Sequence, residues 1–274
     1  MSNMKLNFII PVRHYLSVKD WDSVKSNLVD TIHSINGQSS SNWHCYIVAN
    51  EGTDLPEVNE KFTIINVRFP LNNLPDKTRD IQLFYDKVRE DKGLRVYEAV
   101  KHCNKNTFFM VVDYDDYVNS SITDFVVKDA DKPGWFISMG YLYSGGGYLL
   151  KHNKFDEVCG TSNIVKVSFL DRYTSQDGQL SLDKIKELLG SHRFIKKYMN
   201  AEGYDYKALP FPGAIYNIGI SSSTSQTPSI IRRVFSPKNI IKKPFDFINN
   251  ILNLRLIDEK IIRSFNFNKS KNTY

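Results

Sequence analysis

Residues 108–116 read FFMVVDYDD, five apolar residues followed at once by a segment that holds three carboxylates, Asp113, Asp115 and Asp116. A short, unbroken apolar run suits a strand buried on both faces, as in a parallel sheet, whereas a half-exposed strand would alternate apolar and polar residues. The carboxylates then fall just beyond the strand's carboxyl end, which is where open α/β sheets bind their ligands. Carboxylates this close repel one another, and a divalent cation with oxygen ligands relieves that repulsion while bridging a diphosphate. A solvated acidic turn is the alternative, because Asp is common in turns.

Working outward, residues 5–12 (KLNFIIPV) form a second buried strand. Trp21, Val24, Leu28, Val29, Ile32 and Ile35 recur at steps of three and four, which predicts a helix with Asp20 as its N-cap, ended by the loop at 37–41. Strands at 44–49 and 63–69 and a helix-rich stretch over 80–103 complete an alternation of strand and helix, the mark of an α/β fold with a mainly parallel sheet flanked by helices. Farther on, strands are predicted at 134–143 and 161–170, a turn at 144–147, and short helices at 182–189 and 192–200. Phe245, Ile248, Ile251, Leu252, Leu256, Ile261, Ile262 and Phe265 lie between basic residues and predict one or two amphipathic helices after Pro244. The chain divides into a body over 1–228 and a helical tail over 229–274, with 266–274 expected to fray.

Composition narrows the classes further. Of 274 residues, 41% are apolar and 24% charged, which excludes a disordered, collagen-like or coiled-coil chain. The net charge of +6 is uneven: the residues from Ile231 onward hold ten basic and three acidic side chains, and the first 230 hold 26 and 27. The cysteines, Cys45, Cys103 and Cys159, form neither a metal knuckle nor an even disulfide set, so a cytoplasmic setting is expected. No apolar run approaches the roughly 18 residues of a membrane span, and the N-terminus lacks a signal core. Residues 144–147 (SGGG) lack the Gly-Lys-Ser/Thr of a phosphate loop.

Asp113-x-Asp115-Asp116 after FFMVV, the strand FIIPVR at 8–13, the run Ala49-Asn50-Glu51-Gly52-Thr53 and Gly93, 20 residues before Asp113, together resemble the GT-A glycosyltransferases, in particular the family 2-like bacterial enzymes. The likeness covers residues 5 to 220. It implies a Rossmann-like GT-A domain that uses Mn²⁺ or Mg²⁺ to move a sugar from a nucleotide sugar, expected to be a UDP-sugar, to a glycan or lipid-linked glycan, as in bacterial surface polysaccharide synthesis. Residue by residue, it implies that Pro11 and Arg13 hold nucleobase and ribose, and that Glu51 meets the uracil, although the family's usual Asp-Asp/Gly-Ser differs from Asn-Glu-Gly-Thr. Lys92 and Arg95 would flank the sugar diphosphate, with cationic heads suited to phosphate oxygens; a solvated helix start is their alternative. Asp113 would contact ribose or metal, Asp115 would be the principal metal ligand, and Asp116 would orient the loop or reach the donor sugar.

The family's usual Glu-Asp pair is missing. The corresponding stretch, 188–193, reads LLGSHR, and His192 is expected to complete the metal site, to contact the diphosphate or to act as general base; a surface histidine at a helix start is the alternative. Asp156 and Glu157 are further base candidates, just before Cys159-Gly160-Thr161-Ser162-Asn163, which resembles an acceptor-side loop. Two rival functions remain open: a nucleotidyltransferase acting on sugar phosphates and a non-catalytic binding protein of the same fold. The basic tail has three readings, namely contact with the inner face of the cell membrane, packing on a neighbouring subunit or on the body, and nucleic-acid binding. The last is disfavoured because the body has no basic stripe.

Overall fold

In a computed structural model, which describes residues 5–129, 131–218, 230 and 244–267, strand β1 (Leu6–Pro11) is buried along its whole length. It pairs in parallel with β2 (Trp43–Asn50) on one side and with β4 (Phe108–Val111) on the other, and β3 (Phe62–Val67) pairs in parallel with β2. β9 (Asn163–Lys166) runs antiparallel to β4, followed by β6 (Gly134–Phe136) and β10 (Lys207–Ala208), so the seven-stranded sheet has the order β10-β6-β9-β4-β1-β2-β3. Two helices cover its opposite faces. α1 (Trp21–Asn36) packs Val24, Leu28, Ile32 and Ile35 in one cluster with Leu6, Phe8 and Ile10; α2 (Ile81–Val100) packs Val96, Ala99 and Val100 in another with Ile9, Val48 and Phe109. Successive residues of β1 thus feed opposite cores, as strand geometry requires. Both helices start on the side chain of an Asp cap: Asp20 accepts from the Ser23 amide and Asp80 from the Leu83 amide. This is the expected α/β class, with a mainly parallel sheet flanked by helices.

On the α2 side, α4 (Leu182–Lys184) runs on as a π-helical turn (Ile185–Leu189) and α5 (His192–Ala201) follows. Two glycines set the approach of this segment to α2. A Cβ on Gly93 would lie 2.7 Å from the Ile185 carbonyl oxygen, and one on Gly190 would lie 2.1 Å from that of Arg89. Gly93 therefore serves helix packing.

A second sheet has the order β12-β8-β7-β11-β5. Its strands are β5 (Tyr117–Val118), β7 (Gly140–Tyr143), β8 (Tyr148–His152), β11 (Ala214–Asn217) and β12 (Leu254–Leu256), and α3 (Ile122–Val127) follows β5. The tail also supplies α6 (Pro244–Leu252) and α7 (Glu259–Phe265).

Four expectations change. The single strand predicted at 134–143 is two strands in different sheets, β6 and Gly140–Tyr143, and the second starts at Gly140, where a Cβ would meet the ring of Phe155 at 2.3 Å. The strand predicted at 161–170 keeps only 163–166; Thr161 is drawn into the acidic loop, and Val167–Tyr173 coils into a 3₁₀-helix. The tail has the two helices expected after Pro244, α6 and α7, and adds an unforeseen strand between them: β12 pairs antiparallel with β8, and Ile261, Phe265 and Phe267 cluster with Tyr117, Tyr143 and Leu149 of the body. Nor do residues 266 and 267 fray: Asn266 Nδ2 donates to the His33 carbonyl and Phe267 is buried. The boundary at 228 and the basic residues 232–243 lie outside the described residues.

Candidate active site

β1 and β4 are parallel neighbours, so their carboxyl ends bring Pro11 and Arg13 to the same edge as the acidic run after Val112. A cleft of about 690 Å³ opens there. Pro11, Arg13, His14 and Ser17 form one wall, and Asp113, Tyr114, Asp115, Val158 and Gly160 form another. A third is one face of α2, with Ile81, Tyr85, Val88, Arg89, Lys92 and Arg95 at helical spacing, and Gly190 to Phe194 close the fourth side. Five cationic side chains (Arg13, Arg89, Lys92, Arg95 and Arg193) face three carboxylates (Asp91, Asp113 and Asp115) in this cleft.

The acidic run is held by its most buried member. The Asp116 carboxylate accepts from Thr161 Oγ1 at 2.5 Å, Cys159 Sγ at 3.3 Å and the Asn217 amide at 3.2 Å. Thr161 Oγ1 in turn accepts the Asp113 amide at 2.9 Å. Burial, with the charges of Asp115 and Asp113, pushes the Asp116 carboxyl well up. Asp116 does not line the cleft; its hydrogen bonds tie the acidic run to Cys159, Thr161 and Asn217.

Asp113 and Asp115 do face the cleft. Lys92 Nζ lies 2.5 Å from Asp113 Oδ1. Burial pulls the Lys92 ammonium down, but the Asp113 charge and hydrogen bond outweigh it, and the net shift is upward. Gly160 makes room for this pair, because a Cβ there would sit 2.5 Å from Asp113 Oδ2 and 2.7 Å from Lys92 Nζ. Asp115 is buried, and burial together with the Asp113 charge pushes its carboxyl up to about 7. Asp113, Asp115 and His192 do not gather as a three-ligand cluster, and no other group of three or more His, Cys, Asp or Glu side chains does so among the described residues.

His192 lines the cleft at the start of α5. Burial, then the charge of Lys92, lowers its pKa to about 4, and its hydrogen bond to the Glu157 backbone leaves Nε2 buried without a protein partner. The imidazole is neutral and its bare nitrogen is an acceptor. A pKa near 4 lies below the range suited to a general base at neutral pH. The sign of the pH effect follows. The unfolded histidine binds a proton below its ordinary 6.5 and the folded one only near 4, so stability is lost as pH falls through this window. Thermal melts of His192→Gln between pH 7 and pH 4 are expected to show a flatter loss of stability than the wild type; parallel curves would refute the assignment.

The other expected residues separate. Lys92 and Arg95 lie in the interior of α2, not at a helix start. Arg95 is fully buried, its Nε and Nη2 donate to Asp91 at 3.0 and 2.9 Å, and its guanidinium lies 5.5 Å from the Phe69 ring centre. Its Nη1 has no protein partner. Arg13 donates to Ser17 Oγ and to the Ser17 carbonyl. Glu51 does not line the cleft; it is exposed and ion-paired with Arg68 at 2.8 Å. Asp156 is paired with Lys196 at 3.0 Å and Glu157 with Lys154 at 3.7 Å, and neither lines the cleft. Sequence reading misses Tyr85, Arg89, Asp91 and Phe194. The signal was the recurrence of 81, 85, 88, 89, 92 and 95 on one face of a predicted helix.

No family model matches the chain, and no curated protein matches it in sequence. Among solved structures, 4-diphosphocytidyl-2C-methyl-D-erythritol synthase of Anaerococcus prevotii is similar at 9% identity with a TM-score of 0.40, over 82% of this chain and 94% of that one. A protein assigned as a nucleotide-diphospho-sugar transferase from Desulfovibrio desulfuricans is similar at 12% identity and a TM-score of 0.32, over 97% and 99%. Mannose-6-phosphate isomerase of Helicobacter pylori is similar at 11% identity and 0.29, over 80% and 99%. These likenesses are distant, and the chemistry below rests on the cleft's own residues.

Proposed function

We propose that the cleft binds a nucleoside diphosphate sugar, a UDP-sugar in the first instance, and that the protein transfers the sugar to a hydroxyl of a glycan or lipid-linked glycan. The observation that carries this reading is the convergence of five cationic side chains and the carboxylates Asp113 and Asp115 in one cleft at the carboxyl edge of two parallel strands. Pro11 and Arg13 form the nucleoside end, with Arg13 braced by Ser17. Lys92 and Arg95, one turn apart on α2, offer an ammonium and a free guanidinium nitrogen to phosphate oxygens. The apolar N-terminal half of the same helical face, Ile81, Tyr85 and Val88, continues the charged half along the cleft and suits the faces of acceptor sugars.

Mn²⁺ or Mg²⁺ fits the donor set. Asp115, buried beside Asp113 and pushed up to about 7, is a carboxylate short of a cation. A hard divalent ion is commonly held by one or two carboxylates, with the remaining positions left to water and phosphate oxygens, so a third protein ligand is not required. When bound, it would neutralise the charge that builds on the departing diphosphate. Asp113 and Asp115 would hold it, and the neutral His192 is placed to accept a hydrogen bond from substrate.

Arg89 and Arg193 exceed what one diphosphate needs, and this surplus favours a second reading, nucleotidyl transfer to a phosphorylated sugar. Incubation with Mn²⁺ and a panel of UDP-sugars, beside UTP with sugar phosphates, separates the two. Release of UDP is expected. Pyrophosphate release instead would transfer the assignment to the second reading, and neither product, with no change in melting temperature, would leave a binding protein.

A further inference from the structure

α6 turns four apolar residues to solvent. Phe245 is 85% exposed, Leu252 68%, Ile248 53% and Ile251 42%. Positions 245, 248 and 252 fall on one stripe of the helix with 251 beside it. The exposure continues into β12, where Leu256 stands opposite Tyr148 of β8, both exposed. Single exposed apolar residues are ordinary, but five within the twelve residues from Phe245 to Leu256 form a surface. The rest of the tail behaves differently: α7, a few residues later, buries Ile261 and Phe265 against the body.

The tail that carries this surface is basic in sequence: residues 244–267 hold three basic and three acidic side chains, and the flanking segments 231–243 and 268–274 add seven basic and no acidic ones. Within α6 the single charged residue is Asp246, and the helix is flanked in sequence by Lys242 and Lys243 on one side and Arg255 on the other. The tail as a whole carries ten basic residues to three acidic ones. A second copy of the chain would set two such cationic tails against each other across a self-complementary contact, which like-charge repulsion opposes. An apolar stripe with cationic flanks is instead complementary to an anionic lipid surface, where the stripe enters the headgroup boundary and the basic side chains meet lipid phosphates. No helix among the described residues is long and apolar enough to cross a membrane. We infer that α6 is an interfacial helix that lays the stripe Phe245, Ile248, Ile251 and Leu252 on an anionic bilayer and fixes the body beside it. This is independent of the reaction in the cleft.

Co-sedimentation of the full-length protein with vesicles tests it. At an ionic strength of about 0.1 M, binding is expected to be at least about tenfold tighter to phosphatidylcholine vesicles containing phosphatidylglycerol than to phosphatidylcholine alone, and to weaken as salt rises. The triple variant F245S/I248S/L252S, altered only at exposed positions, is expected to lose at least about tenfold of that affinity with an unchanged melting temperature. Wild type that stays in the supernatant with the anionic vesicles would overturn the inference, as would a variant that binds like wild type. So would a concentration-dependent dimer abolished by the same substitutions, or a fall in the variant's melting temperature without vesicle binding.

Discussion

Asp115→Asn is expected to abolish the Mn²⁺-dependent stabilisation of the protein by UDP and to lower its affinity for the metal–nucleotide complex at least about 100-fold. With ligand at about 100 times its Kd, the wild type should gain roughly 2.7 kcal/mol, which in a chain of this size raises Tm by about 5–10 °C. The variant should gain almost none of this. The same substitution has an opposite effect on the empty protein. Burial and the Asp113 charge raise the Asp115 carboxyl from its ordinary 3.8 to about 7, so its contribution to stability is fully present below 3.8 and is lost as pH rises through 7. Asn carries no such charge, so in EDTA at pH 8 the variant should melt above the wild type. Isothermal titration and thermal melts measure the two effects separately. Unchanged Mn²⁺–UDP binding would remove Asp115 from the metal site, whatever the melts show.

Lys92→Met is expected to weaken UDP by about 10- to 100-fold while leaving uridine nearly unaffected, since a hydrogen bond to a charged group is worth about 1.5–3 kcal/mol and uridine offers no phosphate. Turnover should fall by about 10²- to 10³-fold, in line with loss of one group that stabilises developing charge. The empty protein should also lose stability. Without the ammonium 2.5 Å from its oxygen, Asp113 faces Asp115 uncompensated. Mn²⁺ alone should restore part of that loss by offsetting the repulsion between the two carboxylates. Equal weakening of UDP and uridine would place Lys92 away from the phosphates.

Where one physical signal decides a position, the sequence shows it. FFMVV and the FIIPV that closes KLNFIIPV are apolar without interruption and became neighbouring inner strands, and Asp20 followed by an apolar stripe at steps of three and four became α1 with its cap. The place of the acidic run, just beyond the carboxyl end of a buried strand, was legible for the same reason. What escaped reading depends on neighbours distant in sequence. Glu51 pairs with Arg68 outside the cleft, which its local pattern does not reveal. Asp113, Asp115 and Asp116 look alike in the chain, and Thr161, Cys159 and Asn217 single out the last as an anchor. α2 was visible as a helix but not as a cleft wall, because it buries Val96, Ala99 and Val100 on the sheet, Gly93 against Ile185, and lines the cleft with yet another face. His192 was visible as a histidine at a helix start, and its burial beside Lys92 and the Glu157 backbone was not, because these neighbours are distant in sequence.

The pairing of β12 with β8 bears on how the chain is made. β1, β2 and β4 all lie within the first 111 residues, so the strands that bear the cleft can associate early as the chain leaves the ribosome. The second sheet must wait, because its edge is Leu254–Leu256 and the cluster around Tyr117 and Tyr143 is closed by Phe265 and Phe267. Until synthesis reaches them, β8 keeps an open edge and those tyrosines lack their cover, which is the kind of nascent surface that invites wrong pairing. A shortened message would therefore yield a chain with the strands that bear its cleft in place and its second sheet unfinished.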